Sequence, residues 1–110
     1  MLTEIIKEGC NVLNISKNTS DSSLSIILEG RLDTSTSPDL DQELQNSLSG
    51  ITELIFDLGK LEYISSAGLR VLLTAQKTMN KQGSMIIRNT SDEIKEIFDV
   101  TGFSDILTLE

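Results

Sequence analysis

The sequence predicts an α/β fold in which helices pack on a mixed β-sheet of about four or five strands. Three observations carry this expectation. Apolar runs suited to strands alternate with stretches of helical periodicity in the order β-β-α-β-α-β-α-β. The first two strand runs are separated by a polar, turn-forming stretch, Lys17-Asn18-Thr19-Ser20-Asp21-Ser22-Ser23, which makes them an antiparallel hairpin. The later strands are joined through helices and should therefore run parallel, with right-handed crossovers. A length of 110 residues suits one domain, taken to span residues 1–110.

Each element has its own local reason. Val12–Ser16 alternates apolar and polar residues, and Leu24–Gly30 is rich enough in branched residues to be covered on both faces. Ser37 is an N-cap type followed by Pro38, which suits the first helical position. Leu40, Leu44 and Leu48 then form one stripe, and Gly50 follows the helix end. Leu54–Leu58 is almost wholly apolar and reads as a central strand. Ser65 or Ser66 opens a second helix running to about Asn80, with Leu69, Leu72, Leu73 and Gln76 on one face and Ala75 and Met79 beside it. Gly83 leads into a strand at Ser84–Arg88. Thr90 and Glu93 match a capping box for a third helix that buries Ile94, Ile97 and Phe98, and Ile106–Leu109 reads as a last short strand.

Composition removes many chemistries. The chain has no His and a single Cys, Cys10, so neither a His/Cys zinc site nor a His-activated serine or cysteine nucleophile can be assembled. One Cys forms no internal disulfide, which fits a reducing cytoplasm, and Cys10 is expected to be buried. No two of the seven glycines lie closer than nine residues, which excludes dinucleotide and P-loop spacings. Asp39 and Asp41 lack the further ligands of a calcium loop and suit the first turn of a helix. No cofactor or metal is expected. The net charge of −8, from 17 acidic and 9 basic residues, argues against nucleic acid and anionic membrane surfaces. No apolar run approaches the ~20 residues of a membrane helix.

The chemistry that remains lies at the carboxyl end of the third strand, where ligands and partners of open α/β sheets gather. The expected loop runs from Asp57 to Leu69 and places Ser65 and Ser66 at the start of the second helix. There free N–H groups and the helix dipole favour negative charge, so a hydroxyl could carry a phosphoryl group. Serine is equally a preferred N-cap on structural grounds, and the residues alone leave capping and modification both open. Gly68, one turn in, permits a close approach by another backbone or a packed strand. From Tyr63 to Ser91 the chain carries no acid, while Arg70, Lys77 and Lys81 line one side of the helix. That strip suits either a solvated face or the orientation of a partner.

Three segments, in order, resemble the STAS domain family, and anti-sigma factor antagonists in particular. They are Gly30-Arg31-Leu32-Asp33-Thr34-Ser35-Thr36-Ser37-Pro38, then Tyr63-Ile64-Ser65-Ser66-Ala67-Gly68-Leu69-Arg70-Val71-Leu72-Leu73, then Asn89-Thr90-Ser91 with Ile97-Phe98-Asp99-Val100-Thr101-Gly102-Phe103. The resemblance implies a non-enzymatic, cytoplasmic module. By that resemblance its unphosphorylated form would bind an anti-sigma factor that is also a serine kinase of the histidine-kinase-like ATPase type, and so free the sigma factor. Phosphorylation would end binding, and a PP2C-type phosphatase would restore it. Ser66 takes the position of the family's modified serine, with Ser65 a second candidate. Ser65 stands where the family commonly has aspartate, and Ala67 replaces the following Ser or Thr. Asp33, Thr34 and Ser35, with Ser65, Ala67, Gly68, Leu69 and Arg70, are the implied partner contacts. The chain is expected to be a monomer or weak dimer. Two other roles fit the same loop: a different phosphorylation-controlled partner switch, and a small-ligand or nucleotide sensor.

Overall fold

A computed structural model of the chain describes residues 13–110. Cys10 and Val12 lie outside the described residues. The element order is β1 (Leu13–Ser20), β2 (Ser23–Leu32), α1 (Ser37–Ser47), β3 (Glu53–Ile64), α2 (Ser66–Gln82), β4 (Ser84–Arg88), α3 (Asp92–Thr101) and a 3-10 turn (Phe103–Asp105). One mixed sheet has the order β1-β2-β3-β4, with β1 antiparallel to β2 and the other neighbours parallel. The hairpin turns at Asp21, whose φ is +55°. β3 is an interior strand, as its apolar content requires.

Alternation along the strands sends Leu24, Ile26 and Leu28 of β2, Leu54, Phe56 and Leu58 of β3, and Met85 and Ile87 of β4 into one core. There they meet Leu40 and Leu44 of α1, Leu69, Leu72, Ala75 and Met79 of α2, and Ile94 and Phe98 of α3. β2 is not covered on both faces as expected: Ile27 is 41% exposed on the face away from the helices. On α2 the buried set includes Val71 in place of Leu73, which is half-buried.

Other boundaries differ for identifiable reasons. Ser37 is the first residue of α1, not its cap, and Pro38 is the second. The cause lies upstream, where Asp33 already gathers the preceding turn: its Oδ1 accepts from the Ser35 and Thr36 amides, and its carbonyl accepts from Ser37 N–H at 2.8 Å. Ser91, not Thr90, caps α3, with its Oγ accepting from Ile94 N–H at 3.3 Å. Asn89 adopts φ +62° and turns the chain first, which delays the helix by one residue. The final segment is not a strand. After Gly102 (φ +82°) it forms the 3-10 turn and then a single parallel bridge, Ile87 to Leu109.

β3 is also far longer than expected. Two of its positions are bulged against β2, since Ile27 faces Asp57 but Glu29 faces Lys60, and Gly30 faces Leu61 but Arg31 faces Tyr63. Each bulge adds one residue to β3 and changes which side chains face inward. Its buried positions therefore run 54, 56 and 58 and then 61 and 64. Asp57 pins the first bulge: its Oδ1 accepts from Gly59 N–H at 2.9 Å and its Oδ2 from Asn89 Nδ2 at 3.1 Å.

Candidate functional site

The parallel strands β2 and β3 end side by side, Leu32 opposite Ile64. Two segments far apart in sequence therefore leave the sheet at the same edge: the β2–α1 turn with Asp33, Thr34 and Ser35, and the α2 start with Ser65 and Ser66. Ser65 N–H donates to the Leu32 carbonyl at 2.9 Å and ties them together. The expected Asp57–Leu69 loop is thus corrected: its residues up to Ile64 are strand, and Ser65 alone separates β3 from α2. The site is mounted on regular structure, not on a flexible connection.

The two serines are differentiated by this geometry. Ser65 is the N-cap of α2 in extended backbone, and its Oγ accepts from Gly68 N–H at 3.4 Å. Ser66 is the first helical residue, exposed, and its hydroxyl has no hydrogen-bond partner among the described residues. Capping, which from the residues alone competed with modification for either serine, is taken by Ser65. Gly68 explains the close seating of the helix. A Cβ there would stand 2.7 Å from Leu32 Cγ and 2.9 Å from Ile64 Cγ1, the last residues of the two strands.

The Asp33 turn is rigid for its size. Asp33 Oδ1 accepts from Ser35 Oγ at 2.9 Å, from Ser35 N–H at 3.0 Å and from Thr36 N–H at 3.2 Å. Thr36 Oγ1 in turn donates to the Arg31 carbonyl at 2.8 Å and accepts from Asp33 N–H at 2.9 Å. These donors, the Ser35 hydroxyl foremost, hold the Asp33 carboxyl below its ordinary 3.8 against the opposing effect of burial. Asp33 is therefore a charged anchor of its own loop, while Thr34 is exposed beside it. Arg31 and Tyr63 complete this edge. The guanidinium lies 4.5 Å from the Tyr63 ring centroid, and its Nε is 3.8 Å from Asp33 Oδ2. Arg31 and Tyr63 were not singled out from the sequence, although the pairing of their strands makes them neighbours; only the register reveals it.

Between α1 and α2 runs a groove. Thr34, Ser37, Pro38 and Asp41 form one wall and Ala67, Arg70, Val71 and Thr74 the other, around about 280 Å³. Of the expected contact residues, Thr34, Ala67 and Arg70 meet here, whereas Gly68 and Leu69 are buried beneath and act as support. Ser37, 3% exposed, leaves its Oγ without a hydrogen-bond partner in this wall. Arg70, Lys77 and Lys81 are all exposed along α2. Among the described residues no group of three or more His, Cys, Asp or Glu could hold a metal, and no helix is long and apolar enough to cross a membrane.

A mixed sheet with its helices on one face thus brings two loops together at the carboxyl ends of two parallel strands, beside an exposed serine. The chain belongs to the STAS domain family, whose profile matches residues 14–110. It is 34% identical over 88 residues to a Bordetella bronchiseptica protein, BtrV, whose name describes an anti-sigma factor antagonist, with 78% of this chain and 76% of that protein covered. It is 29% identical over 97 residues to an anti-sigma-B factor antagonist of Staphylococcus aureus, covering 86% of this chain and 90% of the relative. Among solved structures, an anti-sigma factor antagonist from Mycobacterium paratuberculosis superposes with a TM-score of 0.83 at 18% identity, covering 94% of this chain and 89% of the other. The unphosphorylated form of SpoIIAA superposes with a TM-score of 0.70 at 17% identity, covering 90% of this chain and 87% of the other. At such identities the likeness is one of fold.

Proposed function

We propose that the chain is an anti-sigma factor antagonist controlled at Ser66. Unphosphorylated, it binds an anti-sigma factor that is also a serine kinase of the histidine-kinase-like ATPase type, and the sigma factor is released. The observation that supports this most directly is the division of labour at the α2 start: Ser65 caps the helix, which leaves Ser66 exposed with a free hydroxyl beside the Asp33–Ser35 turn. The relatives named above as antagonists support the class of partner. A phosphoryl group on Ser66 adds about −1.5 to −2 charge at the contact edge and would move the net charge from −8 to about −10. Burying that dianion in a tight interface carries a desolvation cost, and a loss of ~3 kcal/mol lowers affinity by about a hundredfold. A PP2C-type phosphatase resets the switch. The chain needs no catalytic residue of its own in this role.

The test is phosphorylation by the cognate kinase followed by mass spectrometry, with binding measured for wild type and Ser66→Asp. Modification at Ser66 and a large loss of affinity in Ser66→Asp are expected. A modified residue other than Ser65 or Ser66, or full binding by Ser66→Asp, removes the switch. Recovery from the native host of a kinase with no sigma-factor connection would assign the chain to a different partner switch.

A further inference from the structure

Ser66 and Arg70 are four residues apart on α2, both exposed, and therefore share one face of the helix. Arg70 is in none of the ion pairs found among the described residues, which join Lys17 to Glu43, Arg31 to Asp33 and Arg88 to Glu110. It also lines the α1–α2 groove, where the buried Ser37 hydroxyl has no partner. A cation without an ion-pair partner and an unsatisfied hydroxyl thus line one cavity.

We propose that Arg70 is the moving arm of the switch: a phosphoryl group on Ser66 captures the Arg70 guanidinium and draws it out of the groove. This rests on the phosphorylation of Ser66 put forward above. In that step Ser66 Oγ bonds to the terminal phosphorus of a nucleoside triphosphate held by the kinase. The bond from that phosphorus to the bridging oxygen breaks, the hydroxyl proton passes to a base of the kinase, and the nucleoside diphosphate leaves. The product presents three acceptor oxygens one helical turn from a planar guanidinium, a spacing at which side chains on a helix meet and a chemistry that suits a two-pronged arginine–phosphate pair.

Neighbouring charges leave Arg70 available. The Asp33 carboxylate is already engaged by Ser35 and Thr36, with Arg31 beside it and lying over Tyr63. Asp41, on the opposite wall of the groove, accepts from Gln45 Nε2 at 3.0 Å and forms no ion pair with Arg70. Phosphorylation would then act twice. It adds a dianion at the contact edge, and it removes from the groove the Arg70 cation, a group suited to a partner's carboxylate.

The experiment installs phosphoserine at position 66 during translation, without a kinase, and follows its second ionisation by phosphorus NMR. In the wild-type background this pKa should lie lower than in Arg70→Ala by about half a unit, because Arg70 favours the dianion. Arg70→Lys should fall between the two, and ~1 M salt should shrink the difference. The helix dipole acts equally in all three proteins, so the contrast isolates the pairing. Equal pKa values in wild type and Arg70→Ala would overturn the proposal and leave Ser66 phosphorylation standing. Conversely, failure of the kinase to modify Ser66 would remove the switch while the NMR contrast still reports the pairing.

Discussion

A β-carbon on Gly68 would stand 2.7 Å from Leu32 Cγ, so the first turn of α2 rests directly on the last residue of β2. Glycine inside a helix ordinarily costs about 1 kcal/mol relative to alanine. At Gly68 the sign reverses, because the obstacles are Leu32 Cγ and Ile64 Cγ1, inner atoms of buried side chains and not mobile chain ends. Gly68→Ala should lower stability by roughly 1–3 kcal/mol, measured by urea unfolding, with the helix start displaced. A gain in stability would mean that the seating is looser than the distances require.

The paired serines should separate in their effects. Ser65→Ala removes the α2 cap and should cost ~1 kcal/mol of stability. Ser66→Ala, at an exposed hydroxyl without a partner, should stay within about 0.5 kcal/mol of wild type. Phosphorylation should follow the opposite order, lost in Ser66→Ala and retained in Ser65→Ala. Unfolding curves and mass spectrometry on the same two proteins check both halves.

Asp33 should make stability depend on acid. Its folded pKa is depressed, so its contribution is fully present above the ordinary value of 3.8 and is lost as pH falls through the lower folded value. Asp33→Asn keeps the shape but not the charge and should be less stable than wild type near neutrality by about 1–2 kcal/mol. The gap should narrow as pH drops below 3.8. A gap that stays constant across that window would show that the charge is not what holds the turn.

Gln82, the last residue of α2, donates from Nε2 to the carbonyls of Leu48 and Ile51 at 2.7 and 2.6 Å and so fastens the α1–β3 connection. Gln82→Glu keeps the length but removes both donors and sets a carboxylate against two carbonyl oxygens. It should destabilise by about 1–3 kcal/mol, and by more than Gln82→Ala, in thermal or urea unfolding.

The helices and the short strands were legible because their patterns are regular. The Leu40–Leu44 stripe, the apolar Leu54–Leu58 run and the Ser84–Arg88 strand all reappear in the structure. The second half of β3 was not legible, because two bulges change its inward period from two to three and a polar-looking Gly59-Lys60-Leu61-Glu62 hides a strand. Helix caps shifted by one residue wherever a neighbour turned the chain first, as Asp33 does before α1 and Asn89 before α3. Ser65, Ser66 and Arg70 stood out by residue type and spacing and Asp33 through the family resemblance, whereas Arg31, Tyr63 and the Ser37 hydroxyl acquire a role only through contacts between separate segments.

By itself, then, the sequence determined the α/β order, the lack of the His and Cys residues that a zinc site or a His-activated nucleophile needs, and a pair of serines at a helix start, because these depend on composition and short-range periodicity. Tertiary structure decided which serine caps and which is left free, and that the Asp33 turn and the α2 start share one edge. Those outcomes depend on β2 and β3 ending in register at Leu32 and Ile64, a pairing between residues 32 positions apart that no local pattern encodes.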